Sequence, residues 1–120
     1  MILYVDDDQA ALDMLKTGLE EKGFKVQTFS TGNDALEYLQ TAMPQLIIAD
    51  LRMQPMNGFE FFQAVKKIRD AGTVPFLFLT AVDDHLAQKY SQTLGVDAYV
   101  VKPIDMDNFE SIIRRKLAEK

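Results

Sequence analysis

Short apolar runs alternate along the chain with longer stretches in which apolar residues recur every three or four positions. The runs predict β-strands, and the periodic stretches predict amphipathic helices. The predicted strands are residues 2–5, 25–29, 46–49, 76–79 and 98–101. The predicted helices are residues 10–22, 33–40, 58–71 and 83–93, followed by a last helix that Asp105 caps.

This alternation predicts an α/β fold: a doubly wound, five-stranded parallel sheet with five helices. The runs 46–49, 76–79 and 98–101 have little polar alternation, which is typical of strands covered on both faces, so we expect them at the centre of the sheet. The run 25–29 is less apolar and should lie nearer an edge. On the third helix, Phe61 is expected on the outer side.

Length and charge narrow the class of protein. The 120 residues fit one domain, residues 1–120, with a single core. The chain has no cysteine, which excludes disulfides and cysteine-based metal sites. Its net charge of −5 leaves no electrostatic footprint for nucleic acid or an anionic membrane. No apolar stretch approaches a membrane span, so we expect a soluble, cytoplasmic protein.

Polar and charged side chains follow the ends of four predicted strands. In an open α/β sheet, sites form beyond the carboxyl ends of the strands. Within the run of three aspartates after strand one, Asp8 is best placed to cap the following helix, which leaves two carboxylates unexplained. Crowded carboxylates favour a cation, and their hard oxygen atoms suit Mg²⁺. The groups expected to converge are Asp6, Asp7, Asp50, Thr80 and Lys102.

This combination of groups predicts a phosphoryl-transfer site. The metal ion and Lys102 would neutralise the transferring oxygen atoms, while Thr80 and the backbone N–H groups near Ala81 would donate hydrogen bonds. Asp50 would be the acceptor. A carboxylate nucleophile forms an acyl phosphate, which can drive a rearrangement of its surroundings before it hydrolyses.

Four segments resemble the receiver domains of two-component response regulators, and together they extend over essentially the whole chain. The sequence Ile-Leu-Tyr-Val-Asp-Asp-Asp at 2–8 is similar to the acid-pair strand of that family, and Leu-Ile-Ile-Ala-Asp at 46–50 is similar to its phosphoacceptor strand. Leu-Thr-Ala at 79–81 and Tyr-Val-Val-Lys-Pro at 99–103 resemble its switch and lysine signatures. The resemblance implies the flavodoxin-like strand order 2-1-3-4-5.

The resemblance also implies a role for each residue. Asp50 would take a phosphoryl group from a sensor histidine kinase or a phosphotransfer protein. Asp7, Asp50 and the carbonyl of Arg52 would hold Mg²⁺ directly, with Asp6 acting through water. Lys102 would pair with the phosphoryl group and precede a cis peptide bond. The chain would be a signalling switch and not a turnover enzyme, limited to self-phosphorylation from donors and slow self-dephosphorylation.

Thr80 and Tyr99 would carry the readout in such a domain. By resemblance, Thr80 moves toward the phosphoryl group and the aromatic side chain of Tyr99 swings inward. This movement alters the face made by helix four, strand five and helix five. We expect that face to bind a partner or to form a homodimer. The side chains expected on it are Gln88, Lys89, Asp97, Tyr99 and either Arg114 or Arg115.

The loop after Asp50 departs from the family pattern. Gln54 stands where the family usually has proline, and Pro55 follows it. Gly58 keeps the expected distance from Asp50, which predicts a normal start for helix three.

Two residues lie where a side chain can guide or block the hydrolytic water. They are Arg52 and Val82, each two positions beyond a predicted site residue. Val82 cannot hydrogen-bond a water molecule. We therefore expect slow self-dephosphorylation, with Arg52 shielding the phosphoryl group.

Two other functions stay open. A receiver-like adaptor could keep the fold and bind a partner without phosphorylation, and the unusual loop at Gln54 leaves room for this alternative. The spacing Asp6-x-Asp8, with a later threonine and lysine, also resembles haloacid dehalogenase-like phosphatases, in which Asp6 would be the nucleophile. That second alternative gives Asp50 no role, and 120 residues leave little room for the cap insertion of those enzymes.

Overall fold

The computed structural model describes residues 1–119 and contains one parallel sheet with helices on both faces. The strands are β1 Ile2–Val5, β2 Val26–Phe29, β3 Leu46–Ala49, β4 Phe76–Thr80 and β5 Ala98–Val101. The helices are α1 Gln9–Glu21, α2 Gly32–Leu39, α3 Gly58–Lys66, α4 His85–Leu94 and α5 Met106–Ala118, with a 3₁₀ turn at Ala71–Thr73. The strand order is β2-β1-β3-β4-β5, which confirms the predicted fold class.

The apolar core lies in two layers, one on each face of the sheet. Successive residues of a strand point to opposite faces, so each central strand contributes to both layers. The layer under α2 and α3 contains Leu3, Val5, Ile47, Phe76 and Phe78 among its buried residues. The layer under α1 and α5 contains Ile2, Tyr4, Leu46, Ile48, Leu77 and Leu79.

The register places the ends of β1 and β3 side by side. Val5 is paired with Ala49, so the next residues, Asp6 and Asp50, leave neighbouring strands at the same level. The N–H of Asp50 donates to the Val5 carbonyl at 3.1 Å. On the other side, the N–H of Lys102 donates to the Thr80 carbonyl at 2.8 Å. The sheet alone therefore brings these four site residues to one rim.

Helix caps account for the third aspartate after β1. Asp8 has an extended backbone, and its side chain accepts hydrogen bonds from the N–H groups of Ala10 and Ala11, which confirms it as the cap of α1. This leaves Asp6 and Asp7 free of that role.

Within the residues that the structure describes, none of the helices has the length and apolar character needed to cross a membrane.

Three expectations about the elements are wrong. β5 is an edge strand whose residues are all only partly buried, because strand order and not apolar composition fixes its place. α3 ends at Lys66 and not at residue 71: Ile68 N–H bonds back to the Val65 carbonyl at 3.0 Å, and Asp70 then adopts φ +72°. Phe61 is fully buried, because it lies three residues after Gly58 on the face of α3 that packs on the sheet.

Gly58, the first residue of α3, lies against the end of β3. Its N–H donates to the Leu51 carbonyl at 2.9 Å. A β-carbon on residue 58 would press on the Asp50 carbonyl oxygen and would lie 2.8 Å from Leu51 Cα, and both are backbone atoms. The missing side chain therefore sets how closely α3 approaches Asp50.

Gly58→Ala should lower the free energy of unfolding by about 1–3 kcal/mol, because the added methyl group forces the backbone at the end of β3 to shift. Urea denaturation followed by circular dichroism measures the change. Gly18→Ala is the matched control: its β-carbon would meet the terminal methyl group of Met106, which is the flexible end of a side chain, and alanine favours a helix. Equal stability of the two variants would contradict the packing argument.

Candidate functional site

Asp6 is fully buried at the end of β1, and both of its carboxylate oxygens accept hydrogen bonds. Oδ2 accepts from the Lys102 ammonium at 2.8 Å and from the Tyr4 hydroxyl at 2.6 Å. Oδ1 accepts from the Asp8 N–H at 3.0 Å. A carboxylate held in this way is a poor nucleophile, which argues against the phosphatase alternative.

Asp50 is close to Asp6 but is less enclosed, with 9% of its surface exposed. Its Oδ2 lies 3.4 Å from the Lys102 Nζ, and its Oδ1 accepts from the Arg52 N–H at 3.2 Å. Lys102 therefore bridges two carboxylates from neighbouring strands. Its peptide bond to Pro103 is cis, as the resemblance implies, and the bond between Gln54 and Pro55 is also cis.

The charge state of Lys102 follows from competing effects. Partial burial disfavours the ammonium and is the largest single influence on the pKa of Lys102. The hydrogen bond to Asp6 and the charges of Asp6 and Asp50 act in the other direction, and together they outweigh burial and raise the pKa above its ordinary value. Lys102 is therefore a cation over the whole physiological pH range.

Asp7 lies at the open side of the rim. It is exposed, and it lines a shallow cleft together with Arg52, Asn57 and Val82. Among residues 1–119, no three carboxylate or histidine side chains are arranged so that they could hold one metal ion. In this arrangement the Lys102 ammonium neutralises the two inner carboxylates.

The donor set nevertheless suits a hard divalent cation, since it consists of carboxylate and carbonyl oxygen atoms at one rim. The predicted ligands, Asp6, Asp7, Asp50 and the carbonyl of Arg52, stay a prediction.

Thr80 and Tyr99 both contact Val82. Thr80 is fully buried, and its Oγ1 accepts from the Val82 N–H at 3.2 Å. The Tyr99 hydroxyl donates to the Val82 carbonyl at 2.6 Å, and its ring packs edge-on against Phe78. Partial burial and then the charges of Asp84 and other nearby aspartates raise the pKa of Tyr99, so its hydroxyl keeps its proton. The loop after β4, which begins with the exposed Ala81, is therefore attached to both predicted switch residues.

Arg114 does not belong to the face predicted at α4, β5 and α5. Its guanidinium donates to Glu110 at 2.8 Å and to the Lys22 carbonyl at 3.1 Å, and it lies 4.6 Å from the centroid of the Phe24 ring. These contacts join α5 to the end of α1. Of the two arginines considered for the face, only the exposed Arg115 remains a candidate.

Tyr4 is a site residue that was not predicted from the sequence. It is buried on β1, two residues before Asp6 and on the same face of the strand, where its hydroxyl reaches the carboxylate. The sequence did indicate this contact: Tyr4 lies in a buried apolar run two residues before Asp6, and a buried tyrosine usually needs a hydrogen-bond partner for its hydroxyl.

Known proteins are similar to this chain in sequence and in fold. The family model of the response regulator receiver domain matches residues 2–114. Response regulator Rre1 of Synechocystis is 32% identical over 120 residues, which are 99% of this chain and 52% of Rre1. The chemotaxis protein CheY4 of Vibrio cholerae has a TM-score of 0.89 at 30% identity, with 95% of each chain covered.

A third similarity concerns the fold alone. The receiver domain of the sensor histidine kinase PA1611 from Pseudomonas aeruginosa, solved with a magnesium ion coordinated in its active-site cleft, has a TM-score of 0.89 at 20% identity, covering 98% of this chain and 96% of that one. The chain spans about half the length of the curated relatives that it matches. The family match over residues 2–114 and the shared strand order lead to one assignment: this chain belongs to the response regulator receiver domains of two-component systems.

Proposed function

We propose that this domain is a phosphoacceptor switch in which Asp50 takes a phosphoryl group from a sensor histidine kinase or a phosphotransfer protein. The contrast between the two inner carboxylates supports this choice. Asp6 is fully buried and accepts three hydrogen bonds, whereas Asp50 keeps 9% exposure. The Asp50 Oδ2 lies 3.4 Å from the Lys102 Nζ, compared with 2.8 Å for the Asp6 Oδ2. Asp50 is therefore the carboxylate that a donor can reach.

The surrounding groups fit the charge that develops during transfer. A bond forms between an Asp50 oxygen and phosphorus while the phosphorus–nitrogen bond of a phosphohistidine breaks. Lys102 already contacts both inner carboxylates and can shift its ammonium toward the incoming phosphoryl oxygen atoms. The Thr80 hydroxyl and the N–H of Ala81, at the end of β4, would donate hydrogen bonds to the same group.

Mg²⁺ is the cofactor that these oxygen donors suit. Asp7, Asp50 and the carbonyl of Arg52 would hold it directly, with Asp6 acting through water. When bound, the ion neutralises charge on the oxygen atoms of the phosphoryl group. The magnesium reported in the cleft of the PA1611 receiver domain is consistent with this assignment.

The switch would act through the loop after β4. Thr80 and Tyr99 contact the N–H and the carbonyl of Val82, respectively. If the Thr80 hydroxyl turns toward a phosphoryl group, the loop loses the hydrogen bond between the Val82 N–H and Thr80. The loop can then move, and Tyr99, which is bonded to the Val82 carbonyl, can change position with it. We propose that this change reaches the surface of α4, β5 and α5.

That surface would bind a protein partner or a second copy of the chain. Lys89 on α4, Asp97 before β5 and Arg115 on α5 are exposed, so it offers charges of both signs. The exposed Leu86 and Tyr90 lie on another side of α4, where the Tyr90 ring packs edge-on against Phe59 of α3. The output would come from binding at the surface of α4, β5 and α5 and not from turnover of a substrate.

Incubation of the purified domain with acetyl phosphate tests the acceptor. We expect one added phosphoryl group in the intact mass, dependent on Mg²⁺ and absent in Asp50→Asn, because Asp50 combines access with the Lys102 ammonium and with the predicted ligands of the cation. Asp13→Asn, at an exposed position on α1, is the matched control and should be phosphorylated normally.

Two other results have distinct meanings. No adduct, together with a melting temperature that Mg²⁺ does not change, would support the phosphorylation-independent adaptor. An adduct that survives in Asp50→Asn would return attention to Asp6.

Decay of the adduct tests the role of Arg52. Its exposed side chain lines the cleft beside Val82, where it would shield the phosphoryl group from water. Arg52→Ala should therefore shorten the phosphoryl lifetime severalfold, as followed by intact mass over time. Arg69→Ala, an exposed arginine between α3 and β4, serves as the control. An unchanged lifetime in Arg52→Ala would refute the shielding role.

The Tyr99 readout can be tested without a known partner. Beryllofluoride with Mg²⁺, a mimic of the phosphoryl group, should shift the amide NMR signals of α4, β5 and α5 in the natural chain. Tyr99→Ala should reduce these shifts and any associated dimerisation, because the link from Val82 to the surface is removed. Tyr99→Phe keeps the ring and isolates the hydroxyl contribution. Full shifts and unchanged self-association in Tyr99→Ala would show that the signal takes another route.

A further inference from the structure

Tyr4 belongs to the apolar layer under α1 and α5, yet its hydroxyl extends to the acidic rim. The ring is 1% exposed and packs in the layer that contains Leu12, Leu15 and Phe109. The hydroxyl donates to Asp6 Oδ2 at 2.6 Å. Since Tyr4 and Asp6 are both buried, water does not compete for this hydrogen bond, and the bond joins the core directly to the site.

Tyr4 shares its acceptor atom with Lys102. Asp6 Oδ2 receives both the Tyr4 hydroxyl and the Lys102 ammonium, while Oδ1 receives the N–H of Asp8. These three donors fix the plane and the direction of the carboxylate. If the ammonium moves toward a phosphoryl group, the Tyr4 hydroxyl remains on Oδ2, so the buried carboxylate keeps a side-chain partner.

The phenol is a neutral donor. Its hydroxyl donates to Asp6 Oδ2 at 2.6 Å and carries no formal charge. Unlike Lys102, it orients Asp6 without adding a positive charge that would repel a divalent cation.

We infer that Tyr4 is a positioning residue of the cation site: its hydroxyl holds Asp6 in the orientation that a divalent cation needs. This inference rests on the proposed function, in which Asp6 serves Mg²⁺. Hydrogen-bond partners of metal-binding carboxylates orient the ligand in advance, and their loss typically weakens binding about 10- to 100-fold. Because Asp6 would act through water, we expect the lower end of this range.

A role in packing alone makes a different prediction. Phenylalanine fills nearly the same volume, so Tyr4→Phe would keep the contacts of the ring under α1 and α5 and change little besides the hydrogen bond. Any effect of Tyr4→Phe on the cation therefore reports on the hydroxyl.

Titration calorimetry with Mg²⁺ alone, without a phosphodonor, tests the inference. The Kd for Mg²⁺ should rise about tenfold in Tyr4→Phe. Tyr38→Phe is the matched control: it removes a hydroxyl from a partly buried ring on α2 that packs against Phe29, and its Kd should equal that of the natural chain. A Kd in Tyr4→Phe within twofold of the control, or a lower one, would overturn the inference.

A double-mutant cycle with Asp6→Asn distinguishes positioning from a structural effect. If Tyr4 acts through Asp6, adding Tyr4→Phe to Asp6→Asn should change the Kd by less than twofold. A tenfold change in both backgrounds would overturn the inference. If Asp6→Asn abolishes binding, the cation depends on Asp6, and the comparison of Tyr4→Phe with Tyr38→Phe decides the question.

The proposed function can fail separately. If the natural chain binds no Mg²⁺, the metal part of that function is wrong, and the inference is overturned with it. If the natural chain binds Mg²⁺ and Tyr4→Phe binds it equally well, only the inference is wrong.

Discussion

One lysine ammonium between two aspartates is the interaction on which the rim of this sheet depends. Asp6 and Asp50 leave neighbouring parallel strands at the same level, so the register itself forces their carboxylates together. Without a cation, their repulsion would oppose the pairing of β1 with β3. Lys102 supplies that cation from the far edge of the sheet, because the hydrogen bond of its N–H to Thr80 continues the β4–β5 pairing beyond the strands.

The starts of α3 and α1 hold the backbone in fixed positions close to the two inner carboxylates. α3 starts at Gly58, which allows its first turn to touch the backbone at the end of β3. Asp8 caps α1 and so fixes the direction of the chain directly after the acid pair. The groups that would bind a phosphoryl group thus stand on strand ends and helix starts, where few torsion angles separate them from the hydrogen-bonded frame.

Much of this arrangement could be predicted from the sequence. Apolar periodicity located every strand and helix, and the rule that sites lie beyond the carboxyl ends of parallel strands brought together Asp6, Asp50, Thr80 and Lys102. Features that depend on tertiary contacts could not be predicted in this way. Composition did not show that β5 is an edge strand, and helical spacing did not show that Arg114 turns toward Phe24 and α1. The hydrogen bond of Tyr4 was missed because tyrosine in an apolar run also fits a purely packed side chain.

The contacts of Val82 have a thermodynamic consequence. Val82 hydrogen-bonds Thr80 through its N–H and Tyr99 through its carbonyl. The positions of the Thr80 and Tyr99 side chains therefore both depend on the position of Val82. Any coupling free energy between two binding sites is the same in both directions. If an anionic group at the rim changes the affinity of the Tyr99 surface for a protein, that protein must change the affinity of the rim for the anionic group by the same factor. The surface at β5 would in this way be an input to the site as well as its output.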